Sequence, residues 1–333
     1  LWRRSLEYSE RLEDPSGIAK TSGNLGAGYY AAGETESARA FLRAAYHGAT
    51  EIGDFRTAAS AVTNLANLAL DQGELSDAAD LYAQAVAILS RTGEHRHLSA
   101  VQHNLGLVSM GLGDLQGARE ALEQSVQLSR LHGYPEDEAE GLASLADVAQ
   151  AEGEYREADE LLERALMLSE ETGSHVAEAG VMHSMGLLSL ARGDYRKAED
   201  LLEQALVFYT DLGRAPDAVD VRQDLARARV ATGNLRGGLR DLREAEVLAD
   251  SLALGPLYAA DLALTAADFN LAINELPVAL GLFRQAQELY ADGNDVVGQA
   301  EALEGQGFLS ILREDYEEAR DLLERALQLR DLA

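Results

Sequence analysis

The chain has 333 residues, no cysteine, and 57 acidic against 28 basic residues, for a formal charge of -29. Disulfide scaffolds, thiolate metal sites and cysteine nucleophiles are excluded; the negative charge disfavours direct contact with nucleic acid or an anionic membrane and leaves basic partners open. No apolar run approaches the roughly 20 residues of a bilayer span, and no charged-then-apolar signal opens the chain, so the sequence reads as cytoplasmic.

Composition does not shift from end to end, and no Pro/Ser-rich linker divides the chain, which predicts one continuous architecture over residues 14–333. The first thirteen residues align with the later part of a repeating unit: Trp2 and Ser5 fall on its large and small columns. They are expected to be the remnant of an upstream repeat helix, and the chain to be part of a longer polypeptide.

Eight units then follow, starting near Ala19, Ala59, Ser99, Ala139, Ala179, Val219, Ala260 and Ala300. Each has a turn in its middle, marked by Gly33, Gly73, Gly113, Gly153, Gly193 and Gly233 at a constant spacing, with Asn274 and Glu314 in the same place after a slip of one residue. A second break separates successive units, at Gly53, Gly93, Gly133, Gly173, Gly213 and Gly293, with Gly255 displaced near the slip. Between breaks the apolar residues follow helical spacing, as in Leu161, Leu162, Ala165, Leu166 and Leu168. Each unit is therefore a helical hairpin, and Gly237, Gly238 and the slip before Pro256 suggest a change of curvature between units six and seven.

The second helix of each hairpin carries fixed columns. A small residue (Ala38, Ala78, Ala118, Ala158, Ala198, Gly238, Ala279, Ala319) is followed four positions on by a large one (Leu42, Tyr82, Leu122, Leu162, Leu202, Leu242, Phe283, Leu323). Three further on, the column is small again, from Ala45 to Ala326. Small, large and small at i, i+4 and i+7 share one helical face, where the small residues admit a neighbouring helix and the large one fills the gap. These columns read as core.

This pattern resembles the tetratricopeptide repeat. Its first-helix Leu-Gly pair is matched by Leu25-Gly26, Leu105-Gly106 and Met185-Gly186, and the Gly-acid-aromatic turn and the Ala, Leu, Ala columns complete it. The repeat is about six residues longer than the family's usual 34, similar to the G-protein signalling modulator adapters and to the helical regions of MalT-like and AfsR-like bacterial regulators. The resemblance implies an all-α, right-handed superhelical solenoid of about eight hairpins, with the first helices lining a concave ligand-binding surface.

The glycine-acid step itself is punctuation. A phosphate cradle needs a Gly-rich loop after a strand, whereas "GLGDLQG" at Gly111–Gly117 follows a helix. Gly193 closes one helix in the left-handed conformation, Asp194 caps the next, and Tyr155, Tyr195 and Tyr316 are expected to pack over the hairpins. Glu94, His95 and His97 lack metal-site spacing, no catalytic constellation stands out, and neither an enzymatic role nor a cofactor is expected.

Candidate ligand residues therefore come from the first helices. One column reads Asn24, Asn64, Asn104, Ser144, Ser184, Asp224, Thr265 and Gly305, with Asn67 one turn from Asn64. Asparagine is a mediocre helix former, and its recurrence has two readings: a ladder of amides for the backbone of an extended peptide, or hydrogen bonding between helices. His103 and His183 share another column, as ligand contacts or as packed histidines, and Tyr30 and Met110 offer an apolar floor. Further along, Asp220, Asp224, Asp261, Asp268, Glu301 and Glu304, interrupted by Arg227, make the later surface acidic.

Two functions fit. The first is a non-catalytic scaffold holding a protein or peptide segment in its groove. The second is the ligand- or peptide-sensing region of a larger bacterial signalling ATPase or transcription regulator.

Overall fold

The structure, a computed structural model, describes residues 2–330. Seventeen α-helices account for the regular structure, and no strand occurs among the described residues. None of these helices is long and apolar enough to cross a membrane.

Helix α1 (Trp2–Arg11) precedes eight hairpins. They are α2 (Pro15–Ala31) with α3 (Thr35–Ile52), α4 (Phe55–Asp71) with α5 (Leu75–Leu89), α6 (His95–Gly111) with α7 (Leu115–His132), and α8 (Pro135–Ala151) with α9 (Tyr155–Thr172). The series continues with α10 (His175–Ala191) and α11 (Tyr195–Asp211), α12 (Ala215–Ala231) and α13 (Leu235–Leu252), α14 (Pro256–Ala272) and α15 (Leu276–Asp292), and α16 (Val296–Leu312) and α17 (Tyr316–Arg330).

The chain forms two compact units, Leu1–Ala177 and Glu178–Ala333. In the first, α2 packs on α3, α3 on α4 and α2 on α4, so that first helices meet each other and also the preceding second helix; α6 and α8 repeat the arrangement. In the second unit the same relations join α12, α13 and α14, and α14, α15 and α16. Each unit is thus a stack of helical hairpins, and the all-α repeat fold expected from the period is the one observed.

The columns are the core. Leu42, Tyr82, Leu122, Leu162, Leu202, Leu242 and Phe283 are all at most 3% exposed. The Leu-Gly motif has a direct cause in this packing: a Cβ placed on Gly26, Gly106 or Gly186 would fall 2.5 to 2.7 Å from the side chain of Leu42, Leu122 or Leu202. Glycine is what lets the large residue of the second helix seat against the first. The final member of the column, Leu323, is 38% exposed and departs from the rule.

At the turns, Gly193 has φ 79 and so closes α10 in the left-handed region. Asn274 and Glu314 adopt the same conformation at φ 64 without being glycine. The breaks between later units require a correction: the left-handed residues are Ala253 (φ 52) and Asn294 (φ 57), not Gly255 and Gly293. Gly255 is instead the extended residue before α14, and the α13–α14 connection has three residues where α3–α4 has two. That connection holds the inserted residue.

Asp194 stands at the N-cap of α11, but its carboxylate makes no capping bond. Asp54, Asp114, Asn234 and Asp295 do accept from backbone N–H groups three residues on. The three turn tyrosines are more open than expected: Tyr155 and Tyr195 are exposed and Tyr316 largely so.

Candidate functional site

The candidate residues divide between the units, and each set is built on first helices. In the first unit, Asn24 on α2 is exposed and Asn64 on α4 is half-buried; neither side chain is hydrogen-bonded among the described residues. Asn67 and Asn104 differ. Tyr82, the one polar member of the large column, is buried on α5 and donates its hydroxyl to Asn67 Oδ1 at 2.6 Å. Asn104, on the next first helix, hydrogen-bonds the same hydroxyl, whose pKa burial drives upward against that bond. These two amides satisfy a buried phenol.

His103 on α6 reaches forward to α8, its Nε2 2.9 Å from Ser144 Oγ. Burial lowers its pKa, opposed by Glu140, so the neutral imidazole is favoured. Tyr30 likewise reaches from α2 to α4, donating to Asp71 Oδ2 at 2.6 Å, and burial together with that carboxylate pushes its pKa up to about 12. Its hydroxyl is a tie between hairpins. Met110 is half-buried at the end of α6.

In the second unit, His183 Nε2 lies 2.8 Å from Asp224 Oδ2, again from one first helix to the next. Gln223, one residue before Asp224 and in the histidine column, continues the series: its Nε2 donates to Thr265 Oγ1 at 2.7 Å and to the Asp261 carbonyl at 3.1 Å. Arg227 spans the same step, bonding Asp224 at 3.2 Å and Thr265 at 3.1 Å. The histidine column of one hairpin is therefore the hydrogen-bond partner of the asparagine column of the next. The spacing of 41 between His103 and Ser144, and between His183 and Asp224, carried that pairing in the sequence, but it shows only when the two columns are read together.

Asp220 is different. It sits half-buried on α12 with no hydrogen-bond partner among the described residues. Burial raises its pKa to about 6; Asp224, Asp217 and Asp261 push the same way and His183 opposes them. Burial also raises Asp261, which accepts from Tyr290 at 2.5 Å, and Asp268, opposed by Arg227. Glu301 on α16 is raised too. Glu304 does not join this group: it is held by Arg330 of α17 at 2.7 and 3.0 Å. What remains is a stretch of first-helix surface over α12, α14 and α16 whose carboxyls lack counterions and resist ionisation.

The residues around the third first helix do not converge on a metal. Glu94 pairs with Arg56, His95 stacks on His132 with ring centroids 3.8 Å apart, and His97 lies 3.4 Å from the Thr63 hydroxyl. No group of three or more His, Cys, Asp or Glu suited to a metal occurs among the described residues.

The family described as the MalT-like TPR region matches residues 6–255, and the chain belongs to that family. No curated protein matches the chain in sequence. Among solved structures, the apo form of the quorum sensor NprR from B. thuringiensis is similar at 14% identity and a TM-score of 0.71, over 97% of this chain and 91% of that one. A Rap protein complexed with competence and sporulation factor is 13% identical at a TM-score of 0.69, over 95% and 98%. The Rap conjugation gene regulator of the plasmid pLS20, in complex with the Phr* peptide, is 13% identical at 0.69, over 84% and 75%. At these identities the likeness is one of fold.

Proposed function

We propose that this member of the MalT-like TPR region family is a non-catalytic, cytoplasmic binding module whose first-helix surface holds a peptide segment of a partner, preferably a basic one. The observation that carries this reading is Asp220: a half-buried carboxyl without a partner, ringed by Asp217, Asp224 and Asp261. A cationic side chain placed there relieves both the missing hydrogen bond and the mutual repulsion. Asn24 and Asn64 offer free amides to a peptide backbone in the first unit. The fold neighbour that holds the Phr* peptide supports the same use of the architecture.

The experiment is fluorescence anisotropy with labelled random hexapeptide pools, one set with a fixed arginine and one with a fixed glutamate. Saturable binding of the arginine pool, weakened by added salt and by Asp220→Asn, is expected. Equal binding of both pools, or none of either, overturns the reading.

Membership of the MalT-like family favours a second reading, in which the hairpins are the sensing region of a longer regulator. A peptide would then shift a population between two forms rather than only bind. Hydrogen exchange with and without the arginine pool separates the two: changes confined to the first helices fit a scaffold, and changes spread through second helices and turns fit a sensor.

A further inference from the structure

The hydrogen-bond ladder between first helices has a terminus, and beside it lies an uncovered apolar face. In α6, α10 and α12 the ladder position is occupied by His103, His183 and Gln223, each bonded to the following hairpin. In α16 the equivalent residue is Glu304, and it turns back to Arg330 of its own hairpin. No ladder group is left to receive another first helix.

The apolar positions of that same face remain open. Leu323 is 38% exposed where its seven column mates are at most 3%; Leu327 is 60%, Phe308 49% and Ile311 41% exposed. That these positions share a face follows from the repeat: Ile311 corresponds to Tyr30, which reaches the next hairpin through Asp71, and Phe308 lies one helical turn from both Glu304 and Ile311. Apolar clusters of this kind rimmed by charge mark interaction surfaces.

The charge pattern of α17 selects the occupant. Leu323 is the central residue of this fifteen-residue helix. Before it stand Glu317, Glu318 and Asp321 against Arg320, and after it Arg325 and Arg330 against Glu324. The first half is net acidic and the second net basic, so α17 is complementary to itself when antiparallel. An isologous contact has this requirement, with the two-fold axis passing the middle residue.

We propose that α16 and α17 form a homodimer interface in which α17 packs antiparallel against α17 of a second copy, centred on Leu323. The interface is closed, so assembly stops at two copies.

The test uses the 333-residue chain and two readouts. Sedimentation velocity across a wide micromolar concentration range is expected to show a species of twice the chain mass, converted to monomer by L323E with L327E while helicity is retained. Because the chain contains no cysteine, Leu323→Cys is expected to give an intermolecular disulfide under mild oxidation, and Val247→Cys on the exposed face of α13 none. A monomer at every concentration overturns the proposal, as does a larger open assembly. A dimer indifferent to L323E with L327E, or one that Leu323→Cys fails to cross-link, does so too.

Discussion

The hydroxyl of Tyr82 donates to Oδ1 of Asn67 at 2.6 Å from within the core of the first unit, and Asn104 bonds the same oxygen from the next hairpin. A tyrosine in a column of leucines requires polar partners, because a buried hydroxyl without one is costly. Two of the four asparagines on these first helices are thus explained by a single residue on a second helix.

Tyr82→Phe should therefore lower stability by about 0.5–1.5 kcal/mol, the usual net worth of a hydrogen bond. Asn24→Ala, which removes an exposed and unpaired amide, should fall within about 0.5 kcal/mol of the parent. Urea midpoints measure both, and equal losses would contradict the division of the asparagines into structural and free.

The Leu-Gly motif gives a prediction of opposite signs on two first helices. Gly106→Ala forces a Cβ to 2.5 Å from Leu122 and should cost about 1–3 kcal/mol. Gly28, in the interior of α2, has nothing within 4 Å of such a Cβ, and Gly28→Ala should stabilise by about 0.5–1 kcal/mol. Thermal unfolding distinguishes them, and changes of the same sign would refute the packing account.

Glu314 holds the left-handed turn conformation at φ 64. The conformation costs a non-glycine residue about 1–2 kcal/mol, offset in part by the freedom glycine loses on folding. Glu314→Gly should then raise stability by roughly 0.5–1 kcal/mol, and Gly193→Ala should lower it. A lower melting temperature for Glu314→Gly would sink this explanation.

Asp220 links pH to stability. Its pKa of about 6 lies above the ordinary aspartate value near 4, so between those values the folded chain holds more protons than the unfolded one. Its contribution is full below that window and is lost as pH rises through it. Asp220→Asn should flatten the decline between about pH 4 and 6, seen in urea midpoints across that range. A variant whose profile runs parallel to the parent would show that the carboxyl is not strained.

The fold was legible because it is periodic. Forty residues separate successive turn glycines, and small and large columns keep their offsets even where Asn274 and Glu314 replace glycine. Local chemistry was less legible. Gly255 and Gly293 stood out by residue type, yet the backbone turns left-handed at Ala253 and Asn294, because the loop geometry recurs at a position and tolerates a residue that strains it. For the candidate site, the columns located the surface but not its bonding. Whether Asn24 is free and Asn67 engaged depends on Tyr82, fifteen residues from Asn67 and on another helix. Likewise, the missing counterion of Asp220 is a matter of what surrounds α12, which no column read alone reveals.

The central claim is that the first helices carry the ligand. Photo-cross-linking with the arginine-fixed hexapeptide pool, bearing a photoreactive residue and read by mass spectrometry, tests it most directly. Adducts on α12, α14 and α16 near Asp220, Asp261 and Glu301, lost in Asp220→Asn with Asp261→Asn, are the predicted result. Adducts on the exposed faces of the second helices, around Val207 and Val247, would contradict it.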